Sequence, residues 1–291
     1  MSAPPRDFGF LHPQAFQATV RIPRWSGRRR VVHLTDLHFG LVTPLALQQA
    51  AVALTNAARP DLVVLTGDFV CRSLAHLPRL TEVLATLEAP AYAVLGNHDY
   101  WLDGAAVHRA LEAAGVTVLR NRWTRLWAGQ EALALVGLDD ALTGHADPRA
   151  AVRGLGNSPT LALNHVPDAA PHLWARGAPV VLSGHTHGGQ LHVPRWTRAF
   201  WQGVLKVRYV DGSFLEDGGL VYVNPGVGSS VVPWRAGRPA QRTVAILDLV
   251  GGDPSLPIFT AWQGDPPGCR PGGRSLECAT PAEEPPPPGL R

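Results

Sequence analysis

The sequence predicts an α/β domain, and two patterns along the chain lead to that prediction. Short runs of β-branched and aliphatic residues recur from position 31 onward, and each run ends in Gly, Asp, Asn or His. Between them lie Ala- and Leu-rich stretches whose apolar residues follow the helical period. Such alternation is typical of a sheet covered by helices. With 45% hydrophobic and 17% charged residues, the chain has enough apolar side chains for a buried core.

Eight apolar runs predict the strands. Six of them are interpreted as buried strands, at residues 31–35, 62–66, 91–95, 132–136, 160–163 and 180–183. Two later runs, at 220–223 and 243–249, predict further strands that are joined through the turn-rich Asn224-Pro225-Gly226.

Three helices are predicted between these strands. Thr43 suits an N-cap and Pro44 suits the first helical position, so the first helix is expected to begin there. A second helix is expected over 77–87. A third is expected over 103–114, where Gly115 suits the C-cap because glycine adopts the left-handed conformation that ends many helices.

Both ends of the chain depart from this alternation. Residues 1–28 contain scattered prolines and arginines, and we interpret them as an irregular lead-in that could add an edge strand. From Gly251 the chain becomes rich in Gly, Pro and charge and finishes with four consecutive prolines at 285–288, which predicts a disordered tail. The predicted organisation is a lead-in at 1–28, one folded domain at 29–250 and a tail at 251–291.

Charge and cysteine content argue against several classes of protein. The net charge of +3 and pI near 9.0 do not predict a general nucleic-acid binder. Cys71, Cys269 and Cys278 are too widely spaced for a disulfide framework or a Cys-based zinc site, and they fit a reducing compartment. The apolar run after Arg28-Arg29-Arg30 is too short for a twin-arginine export signal, and no run approaches the roughly 18 residues of a membrane span. We therefore expect a cytoplasmic protein, with peripheral contact to a membrane as an open alternative.

Five polar clusters follow the strand-like runs. They are Asp36-Leu37-His38, Gly67-Asp68, Gly96-Asn97-His98-Asp99, Asn164-His165 and Gly184-His185-Thr186-His187. In open α/β sheets the carboxyl ends of the strands share one crevice, where residues distant in sequence can converge. Asp, His and Asn together suit Mn, Fe, Zn or Co better than Ca or Mg, which favour oxygen ligands. Each cluster alone could be an ordinary turn or a satisfied histidine, so the prediction of a metal centre depends on their occurring together.

In this order, the clusters resemble the signature of calcineurin-like metallophosphoesterases over residues 31–249. Within that superfamily the chain most resembles the bacterial YkuE/YaeI-type phosphodiesterase branch. The finer resemblance rests on the extended motif at 184–190, on Gly137-Leu138-Asp139-Asp140 and on His165-Val166-Pro167-Asp168, whereas the turn at 224–228 departs from the Arg-Gly-Leu-Gly-like turn of that branch. The resemblance implies a fold of two packed mixed β-sheets flanked by helices, in four layers α/β/β/α.

Carried over residue by residue, the resemblance implies a centre of two divalent metal ions. One ion would be held by Asp36, His38 and His187, and the other by Asn97, His165 and His185, with Asp68 bridging them. Manganese is the expected metal, and iron, zinc and cobalt are alternatives. Such a pair generates a hydroxide nucleophile near neutral pH by lowering the pKa of bound water. His98 would sit over the phosphate as a cation or proton donor, and Asp99 would orient it.

The implied function is a phosphodiesterase or pyrophosphohydrolase that cleaves a P–O bond with a metal-bridging hydroxide. A phosphate ester linked to a lipid or nucleotide is the expected substrate, because some relatives of the branch cleave UDP-diacylglucosamine. Two alternatives stay open. One is a phosphomonoesterase or protein phosphatase with the same two-metal core, and the other is a non-catalytic, metal-bound scaffold. The sequence retains His98 as well as every metal ligand of the motif, which favours an enzyme because a scaffold need not retain them.

Segment 195–208 mixes aromatic and basic residues, among them Arg195, Trp196, Trp201 and Arg208. Such a mixture suits a phospholipid headgroup or a membrane interface, while the alternative is a long loop whose aromatic residues fold back onto the domain. His192, just after the last cluster, could face the substrate or be structural. Beyond the phosphate ester, we expect no specific nucleic-acid partner, and we expect a monomer.

Overall fold

The computed structural model describes residues 12–190, 203, 207–230, 232–252 and 259–262. The strands in these ranges are β1 Gln14–Pro23, β2 Arg28–Leu34, β3 Leu62–Thr66, β4 Ala91–Val94, β5 Val116–Val118, β6 Arg122–Leu126, β7 Leu133–Gly137, β8 Thr160–Leu163, β9 Val180–Ser183, β10 Gly212–Glu216, β11 Gly219–Val223, β12 Thr243–Gly252 and β13 Phe259–Trp262. The α-helices are α1 Leu45–Ala57, α2 Leu77–Leu84, α3 Asn97–Leu102, α4 Gly104–Ala113, α5 Pro148–Ala151 and α6 Ala170–Trp174. Among the helices of the described residues, none has the length and apolar composition needed to cross a bilayer.

The strands form two mixed sheets. The first has seven strands in the order β13-β1-β12-β2-β3-β4-β5, and β2 to β5 run parallel to one another. The second has six strands in the order β10-β11-β9-β8-β7-β6, and β11, β9, β8 and β7 run parallel. Each sheet therefore has a block of adjacent parallel strands whose carboxyl ends lie along one edge.

Buried apolar clusters order the sheets and helices into layers. Val64 and Leu247 of the first sheet belong to the same cluster as Leu135 and Leu161 of the second, so the sheets face each other. A second cluster joins the first sheet to α1, α2 and α4, and a third joins the second sheet to α5 and α6. Apolar area removed from water contributes roughly 25 cal/mol per Å², which makes these clusters the main source of stability. The layer order is α/β/β/α, and it confirms the predicted fold class.

The predicted elements are present, with one difference at a helix start. All eight predicted strands form, and the helices predicted at 77–87 and 103–114 correspond to α2 and α4. The first helix begins at Leu45, and Thr43 does not cap it. The Thr43 hydroxyl instead accepts a hydrogen bond from the Ser229 amide at 2.9 Å. A contact distant in sequence has replaced the local cap.

Strand β1 corrects the expectation of an irregular lead-in. Its alternate residues Phe16, Ala18, Val20 and Ile22 are buried, and the strand pairs with β12 along its whole length. The period-2 pattern forms a strand here because Pro23 stands at the strand end, where its missing N–H does little harm.

Strand β13 lies within the segment predicted as a tail. It pairs antiparallel with β1, so β1 is not an edge strand. The predicted domain at 29–250 thus leaves out two strands of the first sheet. Most of the predicted tail lies outside the described residues.

Candidate metal centre

The predicted site residues lie at the carboxyl ends of parallel strands from both sheets. Those of the first sheet are Asp36 and His38 after β2, Asp68 after β3, and Asn97, His98 and Asp99 after β4. Those of the second sheet are His165 after β8, and His185 and His187 after β9. Because the two sheets face each other, the strand ends meet along one edge and bring the predicted ligands together.

The backbone is left-handed at five of the predicted ligands. The φ angles are +53° at Asp36, +45° at His38, +56° at Asp68, +76° at His185 and +53° at His187. A positive φ is costly for a residue with a Cβ, although Asp and His tolerate it better than most. These conformations turn the chain sharply after each strand, and the side chains of neighbouring loops then point into one crevice. Strain of this kind clusters at functional sites.

Two motif glycines allow the loops to approach the carboxylates. A Cβ on Gly96 would lie 2.3 Å from Asp68 Oδ1 and 2.5 Å from the Asp68 amide nitrogen. A Cβ on Gly184 would lie 2.0 Å from Thr35 Oγ1 and 2.4 Å from Asp36 Oδ2. Any side chain at either position would therefore displace an aspartate of the site.

Asp36, His38 and His187 form the first cluster. His38 Nε2 is 3.1 Å from His187 Nε2, and Asp36 Oδ1 is 3.6 Å from His187 Nε2 and 3.8 Å from His38 Nε2. Ligands about 2.1 Å from a shared ion lie roughly 3.0 to 3.4 Å from one another, so these spacings are close to those of a ligand set.

An unpaired oxygen supports the same assignment. Asp36 Oδ2 accepts hydrogen bonds from Thr35 Oγ1 at 2.7 Å and from the His185 amide at 3.0 Å. Asp36 Oδ1 is buried and has no hydrogen-bond partner within the part of the chain that the structure describes. Because a buried, unpaired carboxylate oxygen is costly, the oxygen that faces the two histidines suits a cation.

Asp68, Asn97, His165 and His185 form the second cluster. His165 Nε2 lies 3.1 Å from Asn97 Oδ1, 3.2 Å from His185 Nδ1 and 3.3 Å from Asp68 Oδ1. His165 Nδ1 lies 2.7 Å from the Thr66 carbonyl oxygen, which can only accept. The ring proton of neutral His165 therefore sits on Nδ1, and Nε2 keeps a lone pair for a metal ion.

Asp68 lies between the two clusters. Its Oδ2 is 3.5 Å from His38 Nε2, and its Oδ1 is 3.3 Å from His165 Nε2. The His98 amide donates to Oδ1 at 2.9 Å and restrains the carboxylate in this orientation. One oxygen thus faces each cluster.

Burial and mutual charge shift the acidities of these groups. Burial raises the pKa of Asp36 to about 7, and the charge of Asp68 acts in the same direction against the opposing effect of His165. Burial also disfavours the charged form of Asp68, but His165 outweighs burial and holds the Asp68 pKa well below its usual range. Burial lowers and Asp68 raises the pKa of His165, with a net rise to about 10. The buried carboxylates therefore need nearby positive charge, which a divalent ion can supply.

His98 lies at the opening of the site. Its side chain is 22% exposed, and its Nε2 is 4.0 Å from Asp68 Oδ2. Its ring packs against His38 and Trp101, with centroids 4.9 Å and 4.7 Å away. Burial lowers its pKa. The ring is held beside both clusters and still reaches solvent.

Asp99 differs from the expectation that it orients His98. Its carboxylate accepts hydrogen bonds from the backbone amides of Asp68, Phe69, Val70 and Gly96, at 2.8 to 3.2 Å. Within the described residues, no hydrogen bond joins Asp99 to the His98 ring. Asp99 therefore ties the loop after β3 to the loop after β4 and positions Asp68. Sequence reasoning missed these partners because backbone amides leave no mark in the side-chain pattern.

Cys71 lies close to His38 and His98. Its thiol is buried and donates to the Ser230 carbonyl oxygen at 3.2 Å. Burial raises its pKa, which makes the reactive thiolate less available.

Sequence reasoning missed Arg235, a buried cation beside the first cluster. Its guanidinium donates to His187 Nδ1 at 2.6 Å and to the Pro225 carbonyl oxygen at 2.7 Å. Metal-bound histidines usually donate from their second ring nitrogen. At His187 this nitrogen, Nδ1, accepts from Arg235 instead. The ring proton of neutral His187 therefore sits on Nε2, and Nε2 would have to lose that proton before it could bind an ion. The nearest sequence signal is the turn at Asn224-Pro225-Gly226, whose carbonyl groups need buried donors.

Two other predictions fall largely outside the described residues. His192 and most of segment 195–208 are in this group, and their roles stay predictions. Arg208 is described, and its backbone amide donates to Asp168 Oδ1 at 3.0 Å.

Comparison with known proteins agrees with this geometry. Residues 29–189 match the family model of the calcineurin-like phosphoesterases. The chain is 35% identical over 206 residues to phosphodiesterase YaeI of Escherichia coli K12, covering 69% of this chain and 75% of that protein. It is 30% identical over 251 residues to the uncharacterized metallophosphoesterase YkuE of Bacillus subtilis 168, covering 82% and 87%.

A further relative has a name that states a substrate. The chain is 30% identical over 256 residues to the UDP-2,3-diacylglucosamine pyrophosphatase LpxG of Chlamydia trachomatis serovar D, covering 68% of this chain and 78% of that protein. The matches to YaeI and YkuE confirm the predicted branch. Since the family model spans more than half of the chain and includes every predicted ligand, this protein belongs to the calcineurin-like phosphoesterases, a family of metal-dependent phosphoric ester hydrolases.

Proposed function

We propose that the protein is a phosphodiesterase or pyrophosphohydrolase that works with two divalent metal ions. The observation that carries the proposal is the position of Asp68, with one oxygen 3.5 Å from His38 Nε2 and the other 3.3 Å from His165 Nε2. A carboxylate shared in this way is the usual bridge of a two-metal hydrolase. A single-ion site would not need ligands on both sides of it.

Seven residues would hold the ions. Asp36, His38 and His187 would bind one, Asn97, His165 and His185 would bind the other, and Asp68 would bind both. When bound, two ions of this kind polarise the phosphoryl oxygens and lower the pKa of water to near neutrality. Mixed nitrogen and oxygen ligands favour manganese, with iron, zinc and cobalt as alternatives.

His98 is the residue proposed to act on the leaving group. Its Nε2 lies 4.0 Å from Asp68 Oδ2 and its ring is partly exposed, so a phosphate at the bridge would come within reach of it. A protonated imidazole there can give a proton to the departing oxygen or stabilise its charge. The Asp99 carboxylate contributes indirectly, because its bonds to backbone amides keep the Asp68 loop in place.

The substrate proposed is a phosphodiester or pyrophosphate linked to a lipid or nucleotide. This choice is supported by two relatives, one named a phosphodiesterase and one a UDP-2,3-diacylglucosamine pyrophosphatase. Both names describe cleavage of a P–O bond with a substituent on each side of the phosphorus. A phosphomonoester would carry one substituent.

The test compares bis-p-nitrophenyl phosphate with p-nitrophenyl phosphate, using protein stripped of metal and reloaded separately with Mn, Fe, Zn or Co. Metal content is measured on the same samples. We expect preferential cleavage of the diester, two ions per chain and the highest rate with Mn. A preference for the monoester would contradict the diesterase proposal, and one ion per chain at full activity would contradict the two-metal centre.

His98→Ala and a matched control complete the test. We expect His98→Ala to keep both metals and to slow turnover by about 100-fold, as for the loss of one general acid. His172→Ala is the control, because His172 is an exposed histidine on α6 and belongs to neither metal-ligand cluster. Equal rates for the two variants would remove His98 from the mechanism.

A further inference from the structure

The exposed apolar residues of the described structure share one edge with the metal centre. The large hydrophobic side chains left exposed are Leu41, Trp101, Leu142 and Trp234, at 93%, 61%, 54% and 72%. Each lies in the segment that follows the carboxyl end of a strand, namely β2, β4, β7 and β11. A single exposed apolar residue is ordinary. Chance exposure does not explain why all four of these side chains follow the carboxyl ends of strands, at the edge that carries the metal centre.

Each of these residues is close to the site in the chain or in space. The Trp101 ring packs on His98 at a centroid distance of 4.7 Å. Leu41 belongs to the loop that carries Asp36 and His38, and Trp234 precedes Arg235, which donates to His187. Leu142 follows the end of β7, next in the sheet to β8, which leads into His165. We call these four side chains the apolar rim.

The chemistry of the rim suits a bilayer better than a protein surface. Its members stand on separate segments, Trp101 on α3 and the others on loops, and at 93% exposure Leu41 makes little contact with the rest of the chain. A protein partner would need a contiguous face of matching shape, whereas fluid acyl chains accept separate protruding side chains. Tryptophan is favoured at the headgroup level because its ring is apolar and its N–H is polar.

Positive charge lies at the same edge. Arg72 is exposed and follows β3 in the loop after Asp68. Arg120 follows β5 and forms an ion pair with the buried Asp139, at 2.8 Å from Nε to Oδ2, while its side chain stays 41% exposed. Arginine beside exposed apolar residues is complementary to a surface of anionic headgroups.

We propose that the apolar rim docks on a lipid bilayer and sets the metal centre at the level of the headgroups. The placement of the metal centre rests on the proposed function, because the phosphoester of a lipid-linked substrate lies at the level of the headgroups. Docking itself requires no catalysis.

The test is co-sedimentation of the full chain with sucrose-loaded phosphatidylcholine vesicles, with and without phosphatidylglycerol, in the presence of a chelator. The rim variant is Leu41→Ser/Leu142→Ser/Trp234→Ser, and it spares Trp101 because that ring packs on His98. The control, Ala57→Ser/Ala85→Ser/Ala128→Ser, changes exposed residues in the segments that precede β3, β4 and β7, at the opposite edge of the sheets. Ala57 ends α1, and the other two lie between elements. We expect the wild type and the control to bind the anionic vesicles and the rim variant to bind at least about tenfold more weakly.

Two results would overturn the proposal. If the wild type stays in the supernatant with both vesicles, the rim is not a lipid-binding surface, and contact with a protein becomes the better explanation. If the rim variant binds as tightly as the control, the membrane is reached through another part of the chain. Leu41→Ser alone serves as a second variant, because so exposed a side chain can be changed without disturbing the core.

Hydrolysis of soluble bis-p-nitrophenyl phosphate separates this inference from the proposed function. The rim variant should cleave it at the wild-type rate while losing vesicle binding. Wild-type protein that binds vesicles but cleaves no phosphate ester would contradict the proposed function and leave the docking surface in place.

Discussion

Two aspartates of the first sheet, the half-buried Asp248 and the buried Asp36, show how differently the molecule treats carboxylate charge at its two edges. Asp248, on β12 opposite Arg30 of β2, has both oxygens paired, with Arg30 Nε at 2.9 Å and Gln17 Nε2 at 3.0 Å. Burial tends to raise its pKa, but the bonds from Arg30 and Gln17 outweigh burial and lower it. Asp36, at the metal edge, keeps an unpaired buried oxygen, and burial raises its pKa to about 7.

The contrast separates residues that stabilise the fold from residues that prepare the site. At the Asp248 edge Arg30 and Gln17 pair with both carboxylate oxygens, whereas at the Asp36 edge one carboxylate oxygen has no hydrogen-bond partner among the described residues. The left-handed backbone at Asp36, His38 and Asp68 is a further cost at the metal edge. Locally unfavourable residues of this kind are expected at functional sites and are compensated elsewhere in the fold.

Asp68→Ala should have the largest effect, because it removes the carboxylate that faces both clusters. We expect turnover to fall by about 1,000-fold or more, equivalent to roughly 4 kcal/mol, together with loss of paired metal binding. Mn should raise the melting temperature of the wild type, since an ion that binds only the folded state stabilises it, and this rise should be absent in the variant. Metal analysis that still finds two ions per chain would refute the bridging role.

Leu247→Ala tests the opposite side of the comparison. Leu247 is fully buried in the cluster between the two sheets, away from the metal edge. We expect unfolding in urea to show a loss of about 2 to 5 kcal/mol, from lost apolar contacts and the cavity left behind. Turnover per folded molecule should match the wild type. If turnover fell strongly under conditions in which all of the variant is folded, packing between the two sheets would also control the metal edge.

Gly96→Ala should affect both properties. Its new Cβ would stand 2.3 Å from Asp68 Oδ1, so Asp68 must move. A displacement of about 1 Å of a catalytic group costs roughly 100-fold in rate. Gly115→Ala is the control, because Gly115 has φ of +82° and no atom within 4 Å of a Cβ. The control should lose stability through backbone strain and keep its turnover. Equal kinetics in the two variants would argue against the steric role of Gly96.

Asp248→Asn should have the smallest effect, because the ion pair is partly exposed, at 40% for Arg30 and 19% for Asp248. We expect a loss of less than about 1 kcal/mol at neutral pH. The pKa of Asp248 is depressed in the folded state, so its contribution is present above the unfolded pKa of about 3.9 and disappears as pH falls through the folded value. Denaturation of the two proteins at a series of pH values should therefore converge in acid. A difference that grew as pH fell would contradict this sign.

The sequence by itself determined the fold class, the main strands and the identities of the metal-ligand candidates. These features are local: each apolar run has the period of its element, and each ligand follows its strand by two to four residues. Period and motif spacing can be read along the chain without knowledge of what packs against it. The first helix start is an exception, because Thr43 bonds to Ser229 and leaves the local cap unused.

Only the tertiary structure decided how those local features act together. The pairing of β1 with β12, the amide partners of Asp99 and the contact of Arg235 with His187 each join segments that are separate in sequence. The unpaired oxygen of Asp36 and the grouping of Leu41 and Trp234 at one edge are likewise set by which loops meet. Hydrogen bonding to backbone amides and side-chain exposure depend on three-dimensional neighbours, and a one-dimensional pattern does not specify them.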